Sequence, residues 1–132
     1  MYTSGALILT DDGDFVYKIT HPKHEIKKTY NVTIKGEISK EEIDKLKSGV
    51  DIDGFTTSKA NARILKYDVD TNKTRIELII HEGKNRQVRK MLEVLDKKVL
   101  ALHRSKIGNI DLQGLKIGEW RHLNTKEVKN LL

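Results

Sequence analysis

Cysteine is absent from the 132 residues of the chain. A disulfide framework, a thiolate zinc site and a cysteine nucleophile are therefore excluded, and a reducing compartment is favoured. Long apolar runs are missing as well, since no segment approaches the roughly 18 residues that a membrane span needs. The first residues also lack the basic and then apolar pattern of a signal peptide. The composition predicts a cytoplasmic protein without a membrane partner.

Several catalytic motifs are missing too. The sequence contains no glycine-rich phosphate loop, no Gly-x-Ser-x-Gly elbow and no zinc deaminase signature. His21 and His24 have no third ligand at a suitable spacing, and a cluster of Asp11, Asp12 and Asp14 is more typical of a β-turn than of a calcium loop. We therefore predict no metal site.

Basic residues are in excess. Lys and Arg number 25 against 19 Asp and Glu, which gives a net charge of +6 and an isoelectric point near 9.4. Such a balance favours polyanionic partners, because cations that contact a phosphate backbone release condensed counterions. The length fits one domain with a core of its own, and no repeat or linker divides it. A single nucleic-acid-binding domain is one interpretation.

The first half of the chain carries two strand patterns and one helix pattern. Residues 6–10 form an apolar run that predicts a short buried strand, followed by a turn at 11–14 and a brief helix over 15–19. "KKTYNVTIKG" alternates, with Tyr30, Val32 and Ile34 on one face, and predicts a half-buried strand. Ser39 and Glu42 have the spacing of a capping box, which predicts a helix ending near Gly49.

The second half continues with mixed elements. Two β-rich runs surround residues 70–73 and predict a hairpin. "NRQVRKMLEVLDK" has helical spacing, "VLALHRSKIGNI" reads as a strand, "NIDLQGLKIGEW" as a tight loop or hairpin, and "NTKEVKNLL" as a capped terminal helix. The predicted fold class is α+β, with a mixed, mostly antiparallel sheet and short flanking helices.

The stretch "HEGKNRQVRKM" concentrates cations at a predicted strand-to-helix junction. Its polar candidates for phosphate contact are Lys84, Asn85, Arg86, Arg89 and Lys90. At about 100° per residue, Arg89 falls on the edge of the apolar stripe formed by Val88, Leu92 and Leu95, whereas Arg86 and Lys90 point away from it. We expect Arg89 to be partly buried and the other two to be better placed to contact a phosphate backbone. A solvated basic face is the alternative.

Tyr30 is the aromatic residue of the alternating strand. Its position beside Val32 and Ile34 is compatible with an ordinary core aromatic whose hydroxyl lies at the rim. The functional alternative is a ring that stacks on a nucleobase.

Read in order, "TSGALILTDDGDF", "HPKHEIKKTYNVTIKG", "LKSGVDIDG", "IHEGKNRQVRKM", "LHRSKIGNIDLQGLKIGEWRHL" and "TKEV" resemble the RsuA-like family of bacterial ribosomal RNA pseudouridine synthases. The resemblance runs over essentially the whole chain, and the combination of "KTY" with "EGKNRQVRKM" is highly specific. It implies that residues 1–132 correspond to the catalytic domain of such an enzyme.

The resemblance also implies what would precede this domain. In the family a strand carries Gly-Arg-Leu-Asp, two further residues and then Thr-Ser-Gly, and the aspartate is the catalytic nucleophile. Met1 and Tyr2 fill the two intervening places, so the nucleophile is expected immediately before Met1, and neither Asp11 nor Asp12 can replace it. A small S4-type RNA-binding domain is usual farther upstream.

The resemblance assigns roles to residues of this chain. Tyr30 matches the active-site tyrosine, which lies against the target base and has been proposed to transfer a proton, and Arg89 matches the arginine that pairs with the nucleophile. Arg104 of "LHR" is expected near the same cleft. The implied reaction cleaves the N-glycosidic bond of a flipped-out uridine, rotates the uracil and rejoins it through C5, without a cofactor, a metal or an energy source.

Two functions remain open from the sequence. The first is an rRNA pseudouridine synthase of which this chain is an inactive part, with ribosomal RNA as partner. The second is a basic RNA-binding module without catalysis. An exposed sheet edge at the start of the chain could in addition pair between copies and form an oligomer.

Overall fold

The structure, a computed structural model, describes residues 2–10, 26–82, 86–111, 115 and 121–131. Strands and helices alternate irregularly along this part of the chain. In chain order they are β1 (Tyr2–Gly5), β2 (Lys28–Lys35), α1 (Lys40–Ser48), β3 (Asp51–Ile52), β4 (Phe55–Thr56), β5 (Asn61–Asp68), β6 (Lys73–Ile80), α2 (Gln87–Val94), β7 (Val99–Ile107), β8 (Ile110–Asp111) and α3 (Thr125–Leu131).

One sheet organises these elements. Its strand order is β1-β7-β2-β6-β5, with β8 added to β7, and β3 pairs with β4 in a separate small hairpin. The pairing of β1 with β7 is parallel, whereas the other pairs are antiparallel. The predicted α+β class with a mostly antiparallel sheet is confirmed. β1 lies at one edge of the described sheet, where a strand of a second copy could pair with it. The oligomer that such pairing would form stays a prediction.

The alternating pattern of β2 has the predicted consequence. Val32 and Ile34 are fully buried, and Tyr30 on the same face is partly buried and packs against the core. The neighbouring strand β6 contributes Ile76 and Leu78 to the same apolar layer. Burial of side chains of this size stabilises the fold by about 1.5–3 kcal/mol each.

The helices complete the core. α1 buries Ile43 and Leu46, and α2 buries Val88, Met91 and Leu92. These side chains belong to one cluster with the inward face of the sheet.

The predicted capping box of α1 is confirmed. The Glu42 amide donates to Ser39 Oγ at 3.1 Å, and the Ser39 amide donates to Glu42 Oε1 at 2.9 Å. The terminal helix α3 has the same arrangement, because Asn124 Oδ1 accepts from the Glu127 amide at 2.8 Å and the Asn124 amide donates to Glu127 Oε1 at 3.0 Å. Both helices therefore begin where their sequences predict.

The prediction for the first strand is wrong in position. The strand spans Tyr2–Gly5, and residues 6–10 continue without regular structure, with Leu7 and Leu9 exposed by 72% and 84%. The reason is the partner: β7 offers Ala101–Arg104 to residues 2–5 in parallel register. The apolar run alone does not carry this information.

The other predicted elements of the described chain are confirmed. β5 and β6 form the hairpin, with Asn72 in its turn at a φ of 52°. Strand β7 turns tightly into β8. The predicted turn at 11–14, the helix over 15–19, His21 and His24 lie outside the described residues, as does most of the loop after β8. None of the described helices is long and apolar enough to cross a membrane.

Candidate RNA-binding cleft

A cleft of about 680 Å³ opens between one end of the β1–β7–β2 part of the sheet and the first turn of α2. Four cationic side chains line it together with Tyr30, and no carboxylate occurs among the described lining residues. We call it the cationic cleft. Its lining consists of Ser4, Gly5, Ala6, Leu7, Lys28, Tyr30, Ile80, Arg86, Gln87, Val88, Arg89, Leu102 and Arg104.

Tyr30 lies on the sheet wall of the cationic cleft. Strand β2 places it between two neighbours, with Leu78 of β6 as its partner on one side and Arg104 of β7 on the other. Its ring is partly buried. Because residues paired across antiparallel strands share a face, Tyr30 and Arg104 face the cleft together.

Arg104 ties the end of β1 to β7. Its Nε and Nη2 donate to the Ala6 carbonyl oxygen at 2.8 and 2.5 Å, and the Ala6 amide donates to the Arg104 carbonyl oxygen at 2.7 Å. Gly5 precedes this contact at a φ of 137°. The predicted position of Arg104 near the cleft agrees with this geometry.

Arg89 approaches the same space from α2. It lies in the first turn of the helix, next to buried Val88, and is itself partly buried. This matches the edge position expected from the helical wheel. Tyr30 and Arg89, far apart in sequence, therefore line one cleft.

Arg86 departs from the expected geometry. It is not helical but forms the N-cap of α2, in the left-handed region at a φ of 55°, and its side chain makes no capping hydrogen bond. The helical wheel therefore does not describe its backbone, although the expected direction of its side chain, away from the apolar stripe, agrees with its exposure. Arg86 is exposed and lines the cationic cleft beside Arg89.

Lys90 is directed elsewhere. Its Nζ forms an ion pair with a carboxylate oxygen of Asp53, in the turn of the β3–β4 hairpin. Lys90 is not among the cleft residues, so its contact with RNA stays a prediction. Lys84 and Asn85 lie outside the described residues.

Sequence reasoning missed the network that holds the start of α2. Gln87 is buried to 97% of its surface, and its Nε2 donates to Glu82 Oε1 at 3.1 Å. The same oxygen accepts from the Ser58 amide at 2.8 Å. The sequence offered one signal for this network: Gln87 is a polar residue one helical turn before Met91, on the buried face of α2. Through these bonds Glu82 positions the turn that carries Arg86 and Arg89.

Sequence reasoning also missed Lys28. This residue begins "KTY" and shares a strand face with Tyr30, two positions away, so alternation alone could have placed it in the cleft. Burial, and then the nearby charge of Arg104, lower the pKa of the Lys28 ammonium from its ordinary value. Its Nζ donates a long hydrogen bond of 3.4 Å to the Ile26 carbonyl oxygen.

Comparison with known proteins defines the family. Residues 1–94 match the RNA pseudouridylate synthase family. The chain is 43% identical over 129 residues to "Ribosomal large subunit pseudouridine synthase B" of Bacillus subtilis, covering 98% of this chain and 53% of that protein. It is 37% identical over 130 residues to "Ribosomal small subunit pseudouridine synthase A" of Vibrio vulnificus, covering 98% and 55%.

A solved structure agrees. "Crystal structure of pseudouridylate synthase" superimposes with a TM-score of 0.87 at 34% identity, over 97% of this chain and 54% of that one. The chain belongs to the RNA pseudouridylate synthase family, and its resemblance to the RsuA-like members is confirmed. It spans about half the length of the curated relatives it matches.

Proposed function

We propose that the protein to which this chain belongs isomerises uridine to pseudouridine in ribosomal RNA, and that the target uridine enters the cationic cleft. The observation that carries the proposal is the convergence of Tyr30, Arg89 and Arg104 on one cleft from β2, α2 and β7. These are the residues to which the family resemblance assigns the active site, and no single stretch of sequence brings them together.

The reaction needs a carboxylate that the described lining does not supply. The nucleophilic aspartate is expected immediately before Met1, and Arg89 would pair with it and keep it ionised. Attack of this carboxylate forms a covalent adduct and breaks the bond between C1′ and N1 of the uracil. After the uracil rotates, C5 bonds to C1′ while the bond between C1′ and the carboxylate oxygen breaks, which regenerates the free carboxylate. C5 then loses a proton and N1 gains one.

Tyr30 lies where a flipped uracil would meet an aromatic ring. Stacking on such a ring contributes about 1–3 kcal/mol per base. This gain offsets the few kcal/mol that unstacking a nucleotide costs. Its hydroxyl is the candidate for proton transfer from C5.

The test compares three chains. The 132 residues alone, the chain extended by Gly-Arg-Leu-Asp before Met1, and the same extension ending in Asn are incubated with unmodified small- and large-subunit rRNA fragments. Pseudouridine is read by carbodiimide labelling. We expect turnover from the Asp version alone, because it alone carries the nucleophile.

Two outcomes contradict parts of the proposal. Turnover by the 132 residues above a no-protein control would overturn the assignment of the nucleophile to the position before Met1. If the Asp version folds and binds rRNA without modifying either fragment, the reaction itself is wrong for this domain. The second candidate, an RNA-binding module without catalysis, is then favoured by the same observation of four cations and no carboxylate in the described lining.

A further inference from the structure

Lys28 and Arg104 form a pair of cations on the sheet wall of the cationic cleft. Strand β2 presents Lys28 and Tyr30 on one face, and β7 presents Arg104 directly across from Tyr30. Both cations are partly buried and line the cleft. The two like charges therefore both lie next to the tyrosine that the proposed function places against the base.

Such a pair is unfavourable by itself. Partial burial reduces the hydration of the Lys28 ammonium and Arg104 repels it, and both effects lower the pKa of Lys28. The hydrogen bond to the Ile26 carbonyl at 3.4 Å compensates little for lost hydration. An anion placed between the two cations would relieve both effects at once.

Both side chains retain donors for an anion. An ammonium has three N–H groups and a guanidinium has five. Lys28 uses one at long range, and Arg104 uses its Nε and Nη2 on a single acceptor, the Ala6 carbonyl. Within the described part of the chain, the Nη1 group of Arg104 and the other N–H groups of Lys28 have no acceptor, so they remain for oxygen atoms of a ligand.

We propose that Lys28 and Arg104 together bind one phosphodiester of the RNA, adjacent to the uridine that lies against Tyr30. The proposal rests on the proposed function. A phosphodiester fits because its single negative charge is shared by two non-bridging oxygens, one for each cation, and because a flipped nucleotide brings its own backbone phosphate within one sugar of the base. The subsite would thus position the target by its backbone, whatever the surrounding sequence.

Lys28 and Lys35 provide a matched pair for the test. Both belong to β2, but Lys35 is exposed at the opposite end of the strand and is not among the cleft residues. They are seven positions apart, about 23 Å along a strand, which exceeds the Debye length of about 8–10 Å at moderate salt. Replacing either lysine by glutamine removes the same charge, so only the position differs.

The experiment measures binding of a fluorescein-labelled 12-residue oligouridylate by anisotropy between 50 and 300 mM KCl. The 132-residue chain is compared with Lys28→Gln and Lys35→Gln. We expect Lys28→Gln to reduce the log–log salt slope by about 0.7, the value for one phosphate of a single strand, and Lys35→Gln to leave it unchanged. Equal effects of the two variants, or no effect of Lys28→Gln, would overturn the subsite.

Inorganic phosphate provides a second measurement that needs no RNA. In a ¹⁵N-resolved titration at constant ionic strength, the Arg104 Nη and Lys28 Nζ resonances should move in the wild type, and the Arg104 resonance should move less in Lys28→Gln. Identical shifts with chloride would contradict the proposal.

The proposed reaction is judged separately. If the Asp-extended chain modifies rRNA while Lys28→Gln keeps the full salt slope, the subsite is wrong and the reaction stands. A slope change specific to Lys28 in a chain whose Asp extension is inactive supports the subsite and overturns the reaction.

Discussion

Gly5 and Arg104 are Cα partners in the parallel pairing of β1 with β7, and no other residue type fits opposite Arg104 at this position. A Cβ built at position 5 would lie 2.7 Å from the Arg104 Cα and 2.5 Å from its carbonyl oxygen. Gly5 also has a φ of 137°, which a side chain rarely adopts. The close approach brings Ala6 within reach of the Arg104 guanidinium.

We therefore expect Gly5→Ala to separate β1 from β7. The new Cβ would clash with backbone atoms of Arg104, which cannot shift without moving β7. The free energy of unfolding should therefore fall by the cost of the positive φ and by about 1–3 kcal/mol in addition for the clash. Amide exchange at Ala6 should accelerate as its bond to Arg104 opens. Urea unfolding and hydrogen exchange measure the two effects.

Gly36→Ala is the control. Gly36 has a φ of 81°, yet a Cβ there would meet nothing within 4 Å. This variant carries the backbone penalty without the clash. Equal losses of stability in Gly5→Ala and Gly36→Ala would contradict the close approach of β1 to β7.

The contrast between α1 and β1 shows what the sequence can predict. Ser39, Glu42, Ile43 and Leu46 act within one helix, and the capping and burial of α1 were therefore readable from their spacing. The position of β1 depends on β7, about a hundred residues away, and its apolar continuation at Leu7 is exposed. Local patterns identify elements, whereas register and partners are set by tertiary contacts.

The cleft shows the same division. Arg89 was placed at the core edge because its helix is regular. Arg86 is exposed as expected, but its left-handed backbone was not predicted, because a residue before the first helical turn is not part of the helical period. The role of Glu82 was missed because it depends on loops that meet only in the folded chain, whereas the alternation of β2 could already have placed Lys28 on the face of Tyr30. The family resemblance, and not the pattern of residues, linked Tyr30 to Arg89.

The ion pair at the start of α3 predicts a pH effect. Arg121 Nη1 and Nη2 donate to the two Glu127 carboxylate oxygens at 2.8 and 2.7 Å, and the Asn124 amide donates to Oε1 at 3.0 Å. These bonds, that of Arg121 first, lower the pKa of Glu127 from 4.5 to about 2. A lowered folded-state pKa stabilises the fold above the unfolded value, and this contribution is lost as pH falls from 4.5 through 2.

A carbon-detected titration of the Glu127 carboxyl measures this pKa directly. Arg121→Gln should raise it towards 4.5, leaving a small depression from the Asn124 amide. The variant should also lose less stability than the wild type between pH 5 and pH 2. A wild-type midpoint close to 4.5 would show that the pair does not persist in solution.

The left-handed backbone of Arg86 predicts a difference between two substitutions. Arg86→Ala removes the cation and keeps a Cβ in a conformation that costs about 1–2 kcal/mol, whereas Arg86→Gly removes both. Glycine also raises the conformational entropy of the unfolded chain, which destabilises Arg86→Gly by about 0.4–1 kcal/mol. Arg86→Gly should therefore be the more stable variant by about 0.5–1 kcal/mol, measured from urea midpoints and slopes. The log–log salt slope of oligouridylate binding should fall by the same amount in both variants, because both lack the cation. If the alanine variant is the more stable one, the left-handed conformation of Arg86 is contradicted.

Lys90 and Asp53 allow a test of which cations near α2 are available to RNA. Since Lys90 is paired with Asp53, we expect Lys90→Gln to weaken oligouridylate binding less than Arg86→Ala does. Asp53→Asn should strengthen binding, because it frees Lys90 and removes a negative charge from this side of the helix. The substitution is suited to the site, since Asp53 has a φ of 45° and asparagine tolerates this region as well as aspartate.

The double variant decides between the two contributions of Asp53→Asn. If the freed ammonium of Lys90 reaches a phosphate, the salt slope should rise by up to about 0.7 in Asp53→Asn and return to the wild-type value in Asp53→Asn with Lys90→Gln. If the gain came only from the lost negative charge, it would persist in the double variant. If Lys90→Gln weakens binding as much as Arg86→Ala does, Lys90 leaves Asp53 to contact RNA, as its position in "NRQVRKM" suggests.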